Sequence, residues 1–501
     1  MDSIFFQGLV IALSPQAIFL IMSGVFIGII MGALPGLTVA MAIAVFLPFT
    51  FGMTPELALM LLMGIYAGGM YGGSISAILV NIPGTAGAIA TNLDGYPMAQ
   101  KGLAGQAIGM ATVGSFIGGM IGFVVLMMMA PPIAKFALKF GPPEYFALAI
   151  FGLTIIAGIA GKSFVKGIIG GTLGLFFGII GLDPITNVPR FTFGNVNLFS
   201  GLEFVPVMIG IFGLSEALDK LSVAKVEVVV QQKLGSVIPK MAIIRQYTKT
   251  AIRSSVIGVL IGALPVAGGS VASLVSYNEA KRASKDPESF GTGNPEGVFA
   301  AETANNAAIG GALIPCMTFG IPGDAITAVL LGAFMIHNLQ PGPLLFTGHP
   351  DIVGAMFIAL ALGTIGLLVL GLSLARFFAK VITMPLQILL PIVTILCVVG
   401  SYSLRNSMYD VYVLLVFGLI GLFMKKVSIP PGAVILGLIL GPMAEQNLRQ
   451  ALITFDGNWA LFMTRPIAVV ILLIALISVT IPVLIRYGFL DNLKKRFISA
   501  K

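Results

Sequence analysis

Charged residues are scarce in this sequence, and their scarcity excludes the commonest class of protein. Asp, Glu, Lys and Arg make up only 10% of the 501 residues, whereas soluble globular proteins carry about 25%. Apolar residues make up 57% of the chain. Because so few charges cannot cover a surface that faces water, the sequence predicts a protein whose solvent is mostly lipid.

Histidine and cysteine are also nearly absent. His337 and His349 have no cysteine or carboxylate at a metal-ligand spacing, so no metal site is predicted. Cys316 and Cys397 lie in apolar surroundings and are expected to be buried free thiols rather than a disulfide. No serine is paired with a histidine. These absences argue against an enzyme, and we expect neither catalytic residues nor a cofactor.

Lysine and arginine are missing from the first 100 residues and concentrate in two clusters. The positive-inside rule places both clusters in the cytoplasm, so the net charge of +8 reflects topology and predicts no nucleic-acid partner. No basic region precedes the first apolar residues, so a cleavable signal peptide is not expected. The clusters are Lys220, Lys225, Lys233, Lys240, Arg245, Lys249 and Arg253, and then Arg486, Lys494, Lys495, Arg496 and Lys501.

Apolar runs of membrane-crossing length are abundant. A helix needs roughly 20 apolar residues to cross the hydrocarbon core, and an open sheet edge cannot be satisfied there. The sequence therefore predicts an all-α polytopic membrane protein, in contact with lipid, with about twelve transmembrane helices. The clearest runs are Ile18–Ala33, Ala104–Ala130, Phe146–Ile159, Phe204–Leu218, Ile352–Leu374, Val411–Met424 and Ile467–Leu484.

Four short motifs occur twice, in the same order and about half a chain apart. The pairs are Gly32–Pro35 with Gly262–Pro265, Pro55–Glu56 with Pro295–Glu296, Gly72–Gly73 with Gly310–Gly311, and Pro83–Gly84 with Pro322–Gly323. Duplicated halves are a common plan of secondary transporters. We predict a first transmembrane repeat over residues 1–221, a basic cytoplasmic linker over 222–250, and a second repeat over 251–501. Whether the repeats are parallel or inverted stays open.

Each half also contains two Gly/Pro breaks inside apolar sequence, which predict broken helices or re-entrant hairpins. Non-helical backbone at membrane depth occurs only where it is buried in protein or lines a cavity. A half-helix that begins there directs free N–H groups at the cavity and favours an anion. The alternative is that the breaks are packing kinks. The candidate substrate-binding residues are Pro35, Gly36, Leu37, Thr38, Gly72, Gly73, Ser74, Asn81, Pro83, Gly84, Thr85, Gly268, Gly269, Ser270, Asn305, Asn306, Pro322 and Gly323.

Two carboxylates close to the second-half breaks are candidates for ion coupling. Glu302 and Asn306 are four residues apart and share a helix face, and Asp324 directly follows a Pro-Gly break. Carboxylates and amides beside a membrane-buried break can bind Na⁺ or carry a proton. Two alternatives remain open here: Glu302 in an interfacial loop, and Asp324 as the cap of the following helix.

Several motifs together resemble the large membrane subunit of tripartite tricarboxylate transporters, the TctA family, from about residue 8 to about residue 485. They are Pro35–Thr38, Tyr71–Ser74, Asn81–Gly84, Asp94–Pro97, Gly181–Pro184, Arg190–Gly194 and Gly320–Gly323. The resemblance implies a translocation path in the bacterial cytoplasmic (inner) membrane. It also implies a small four-helix membrane subunit and a periplasmic substrate-binding protein as partners. The substrates would be tricarboxylates or related organic carboxylates, and a Na⁺ or H⁺ gradient would drive uptake. The alternatives are a TRAP-type dicarboxylate transporter subunit and an anion channel.

Overall fold

The computed structural model describes residues 2–159, 164–223, 234–264, 268–382, 384 and 386–486. Lys225 and Lys233 of the linker, residues 265–267 of the third break, and the basic residues after Arg486 lie outside the described residues. Within them, the chain forms twenty-two α-helices and one short antiparallel pair of strands. The prediction of an all-α polytopic membrane protein is confirmed, and all seven apolar runs form helices, although Leu374 at the end of one run lies just past its helix.

Among the described residues, the first half of the chain contains ten α-helices and both strands. A π-helical segment, Ile209–Leu214, joins α9 to α10. The helices are α1 Asp2–Ala12, α2 Pro15–Ala33, α3 Val39–Phe46, α4 Pro55–Val80, α5 Ile89–Gln100, α6 Ala104–Ala137, α7 Pro142–Ile159, α8 Phe164–Gly178, α9 Phe204–Met208 and α10 Ser215–Val223. The strands are β1 Gly181–Leu182 and β2 Pro189–Arg190, with Gly181 opposite Arg190.

The second half contains the remaining twelve helices. They are α11 Met241–Gln246, α12 Thr248–Gly262, α13 Gly268–Ala283, α14 Pro295–Phe319, α15 Ala325–Ile336, α16 Pro343–Gly348, α17 Pro350–Ser373, α18 Ala375–Val381, α19 Leu386–Arg405, α20 Met408–Lys426, α21 Pro431–Thr454 and α22 Pro466–Arg486. Among the described residues, six helices are long and apolar enough to cross a membrane: α2, α4, α6, α17, α19 and α20. The number of about twelve crossings stays a prediction.

The chain folds into two compact units, and each unit draws on both halves of the sequence. The first unit comprises Met1–Leu138 and Phe204–Leu422, and the second comprises Lys139–Glu203 and Phe423–Lys501. These units do not show whether the two sequence halves superpose as structural repeats, so the division into two repeats stays a prediction. Within the first unit, Asn81 directly follows α4 and Gly320 directly follows α14, and both residues have a left-handed backbone, with φ of 59° and 70°.

Helices α4 and α14 form the centre of the first unit, and nearly all of their residues are buried. Helix α2 packs against α4 through faces of small residues. A methyl group at Gly28 would lie 2.3 Å from the carbonyl oxygen of Ile65, and one at Gly68 would lie 2.2 Å from that of Val25. Such close backbone approach is how helices associate in lipid, where no hydrophobic force joins them. Helix α14 packs in turn against α6, α12 and α13.

The second unit consists of α7, α8, α21 and α22 together with the loop that carries the strands. Asp183 is buried and forms ion pairs with Arg190 and Arg449. Glu144 precedes the apolar run of α7 and binds Arg465 through both carboxylate oxygens, at 2.8 and 2.9 Å. Burial by itself raises the pKa of Glu144, but the hydrogen bonds from Arg465 and from the Gly141 N–H outweigh it, and the pKa lies below its usual value.

Candidate functional site

The first break is an extended link between α2 and α3. Gly36 has a φ of +88°, which a residue with a side chain rarely adopts. Leu37 is fully buried, and Pro35 is partly buried. Thr38 then caps α3, because its hydroxyl oxygen accepts a hydrogen bond from the Met41 N–H at 3.1 Å. These four predicted residues thus lie at a true interruption of the helix.

The second break folds back against α4 and the end of α2. After Asn81, which is exposed, and Pro83, the Gly84 N–H donates to the Gly73 carbonyl at 3.2 Å. A methyl group at Gly84 would lie 2.0 Å from the Gly32 carbonyl oxygen, so only glycine fits there. Thr85 has an extended backbone and begins the helical turn that leads into α5. The two first-half breaks are therefore neighbours.

Not every α4 residue that the sequence predicted to bind substrate faces the two first-half breaks. A methyl group at Gly73 would lie 2.2 Å from Thr85 Oγ1, so this glycine does face the second break. Gly72 faces the backbone of α2 at Ile29, which is a packing contact. The Ser74 hydroxyl donates to the carbonyl of Tyr71 in its own helix. Of these three residues, only Gly73 adjoins a break.

The second-half breaks meet at Asp324. Gly268 begins α13 with a φ of +54°, and a methyl group there would lie 3.2 Å from Asp324 Cβ. Asp324 caps α15 by accepting a hydrogen bond from the Thr327 N–H at 2.7 Å, and Tyr66 of α4 donates its hydroxyl to the other carboxylate oxygen at 2.6 Å. Pro322 and Gly323 are buried just ahead of it. The predicted capping role of Asp324 is thus present in the structure.

Asn305 is the point at which the breaks of both halves come together. Its amide nitrogen donates to the Met70 carbonyl of α4 at 3.1 Å, which fixes the direction of the amide oxygen. A methyl group at Gly87 would lie 2.0 Å from that oxygen, and one at Gly269 would lie 2.4 Å from it. Asn305 Oδ1 therefore lies between the first turn after the second break and the first turn of α13, which Ser270 continues.

Glu302 lies inside α14, one turn before Asn306, and not in a loop. It is 0% exposed, and its oxygens accept hydrogen bonds from the hydroxyls of Thr91 and Ser115. The amide nitrogen of Asn306 donates to Ser115 Oγ at 2.8 Å, which completes the cluster. Within the described part of the chain, no lysine or arginine forms an ion pair with Glu302. A buried carboxylate of this kind within a membrane protein is a candidate functional group.

Three buried oxygens at this site have no hydrogen-bond partner among the residues that the structure describes. They belong to Thr85 Oγ1, Asn305 Oδ1 and Asn306 Oδ1. An unpartnered buried oxygen is costly, and such groups call for a ligand or another explanation. The arrangement offers N–H groups at helix starts for an anion and side-chain oxygens for a cation. Among the described residues, no three His, Cys, Asp or Glu side chains are grouped so as to hold a metal ion.

Asp94 is a buried residue that the sequence did not single out as part of a site. Its carboxylate is 0% exposed and accepts four hydrogen bonds, from the N–H groups of Gly291, Gly293 and Asn294 and from the Tyr277 hydroxyl. In the sequence, Asp94 stands out only as one residue of a short motif. Its partners lie about two hundred positions away, so no local pattern predicts them.

Comparison with known proteins places the chain among transporters. The model of a family described as "Tripartite tricarboxylate transporter TctA family" matches residues 18–436. A protein of Agrobacterium vitis, "Uncharacterized 52.8 kDa protein in TAR-I ttuC' 3'region", is 38% identical over 473 residues, which cover 94% of each chain. Another, "Uncharacterized protein in TAR-II ttuC' 3'region", is 37% identical over 227 residues, which cover 45% of this chain and 94% of the relative. No solved structure matches significantly.

Proposed function

The chain belongs to the tripartite tricarboxylate transporter TctA family, and we propose that it forms the path by which a citrate-like tricarboxylate or related organic carboxylate enters a bacterium across the inner membrane. The observation that carries the proposal is the meeting of breaks from both halves around Asn305. A site built from two sequence halves is where a secondary transporter binds its substrate. The family match favours this function over a TRAP-type subunit.

The substrate carboxylates are proposed to bind at the helix starts of the junction. The turn after Thr85 and the start of α13 at Gly268 and Gly269 both adjoin Asn305. Free N–H groups and the positive end of the helix dipole attract an anion without any arginine. Since glycine carries no side chain, these backbone groups stay accessible to a ligand.

Uptake is proposed to be driven by Na⁺ or H⁺, with Glu302 as the main coupling residue. Among the described residues, the hydrogen-bond donors to Glu302 are neutral, and the Asn306 oxygen that has no partner there lies one helical turn away. Asp324 is the second candidate, because its carboxylate already caps α15 and accepts a hydrogen bond from Tyr66. Coupling requires that cation affinity depend on whether substrate is bound.

The proposed transporter includes two further subunits, as its family does: a small four-helix membrane subunit and a periplasmic binding protein. The test reconstitutes the chain with both subunits in proteoliposomes and measures uptake of labelled citrate under imposed Na⁺ or pH gradients. A carrier predicts that unlabelled citrate inside accelerates entry of labelled citrate. Entry that follows the citrate gradient alone, without such counterflow, would identify an anion channel and contradict the proposal.

A further inference from the structure

Three helical segments meet at the proposed site and lie side by side away from it. They are α5 with the helical turn that precedes it, α13 and α14, and the starts of the first two lie against Asn305 in the middle of α14. Along α14, the successive contacts of the α5 segment are Gly87 with Asn305, Thr91 with Glu302, and Asp94 with Gly297. The numbering rises in one segment and falls in the other, so α5 runs antiparallel to α14. Asp94 lies at the end of this contact opposite the junction.

The carboxylate of Asp94 joins all three segments at that opposite end. One oxygen accepts hydrogen bonds from the N–H groups of Gly291, Gly293 and Asn294, each at 2.8 Å. The other oxygen accepts from the hydroxyl of Tyr277 in α13, also at 2.8 Å. Successive backbone N–H groups that point inward form a concave anion-binding site. Here, the anion is a side chain of the protein itself.

The loop between α13 and α14 contains two glycines whose backbone conformation lets its N–H groups point at the Asp94 carboxylate. Gly291 and Gly293 have φ of +88° and +108°, conformations that residues with a side chain rarely adopt. Asn294 follows at once and caps α14, since its side-chain oxygen accepts from the Glu296 N–H at 2.8 Å. The same few residues therefore bind Asp94 and start the helix that carries Glu302 and Asn305.

We propose that Asp94 is a positioning residue that sets the register of α5 against α14. The register determines whether the Thr91 hydroxyl reaches Glu302 and whether Gly87 lies against Asn305. Because α5 rises about 1.5 Å per residue, a slip of a single residue breaks a hydrogen bond to Glu302. This inference rests on the proposed function, in which Glu302 binds the coupling cation.

The test compares Asp94→Asn, Thr91→Val and the double variant in the reconstituted transporter. Asparagine keeps the shape of Asp94 but removes its charge, which weakens the hydrogen bonds to the one remaining oxygen. Its amide nitrogen cannot accept a hydrogen bond, so not all four bonds to Asp94 can form. We expect each single variant to shift the half-saturating concentration of the coupling cation about tenfold in the same direction. The double variant should shift it no further than Thr91→Val alone, since both changes remove the same contact.

A structural readout accompanies the transport assay. Amide hydrogen exchange in Asp94→Asn should accelerate at Gly291 and Gly293 and along α5. The matched control is Asp410→Asn, which alters another buried carboxylate, one bound by Arg405. This control should leave unchanged both the hydrogen exchange of α5 and the half-saturating concentration of the coupling cation.

The outcomes separate the inference from the proposed function. Unchanged hydrogen exchange along α5 in Asp94→Asn would overturn the positioning role. The role would also be overturned if the shifts in half-saturating cation concentration caused by Asp94→Asn and Thr91→Val were additive in the double variant. If Thr91→Val leaves the cation dependence unchanged, the coupling role of Glu302 fails instead. In that case, faster exchange of α5 in Asp94→Asn still supports the positioning role, and unchanged exchange contradicts it.

Discussion

Replacing Glu302 by glutamine removes a charge from the interior of α14 and changes the side-chain volume very little. Glutamine can still accept one hydrogen bond and donate another to the hydroxyls of Thr91 and Ser115. Two unit charges 4 Å apart attract one another by about 4 kcal/mol at an effective dielectric constant of 20. The amide dipole retains part of this attraction, so we expect cation affinity to fall at least about 100-fold.

The same replacement should stabilise the protein. A buried carboxylate without a cation costs several kcal/mol of desolvation, and hydrogen bonds from two hydroxyls offset only part of that cost. We therefore expect Glu302→Gln to raise the free energy of unfolding by about 1 kcal/mol at neutral pH without the coupling cation. Lost coupling together with higher stability is the pattern of a functional group held at an energetic cost.

The assay pairs thermal unfolding of the purified chain with cation-dependent citrate uptake. The control is Glu296→Gln in the first turn of the same helix, where the carboxylate accepts a hydrogen bond from Thr250. It should keep the cation dependence of the parent. If Glu302→Gln lowers the melting temperature, or if it transports with unchanged cation dependence, the reasoning about an uncompensated charge is wrong.

Three other predictions follow from particular contacts. Gly87→Val should displace the Asn305 oxygen and abolish uptake, whereas Gly52→Ala, with no atom within 4 Å of its new methyl group, should transport normally. Asp324→Ala should cost about 1 kcal/mol of stability through loss of the helix cap. Asp324→Asn keeps the capping oxygen, so an unchanged cation dependence of uptake in that variant would leave capping as the only role of Asp324. Arg465→Met should destabilise the purified protein by roughly 2 kcal/mol at pH 7. Because the pKa of Glu144 is lowered by folding, that difference is present above the unfolded pKa of about 4.3 and should vanish as pH falls below the folded value; a constant difference in melting temperature would contradict it.

The sequence alone determined the class of this protein and the places where its helices break. Ten per cent charged residues exclude a water-exposed fold, and apolar runs such as Phe146–Ile159 became helices as predicted. The ends of α2 just before Pro35 and of α4 just before Pro83 were also predictable, because proline and glycine restrict or free their own backbone through local sterics. Such local rules need no knowledge of distant residues. The position of Asp324 just before an apolar run likewise allowed its role as the cap of α15 to be proposed from the sequence.

Only the tertiary structure decided which groups meet. Glu302 accepts hydrogen bonds from Thr91 and Ser115, which are 211 and 187 positions away in the sequence. Sequence reasoning singled out Glu302 but not Thr91 or Ser115, and it named Asp94 only within a short motif and not as part of a site. A buried polar group must find a partner, but helix packing determines which one, and packing depends on the shapes of many distant side chains at once. Those shapes brought both Gly87 and Gly269 close to one amide oxygen, on Asn305.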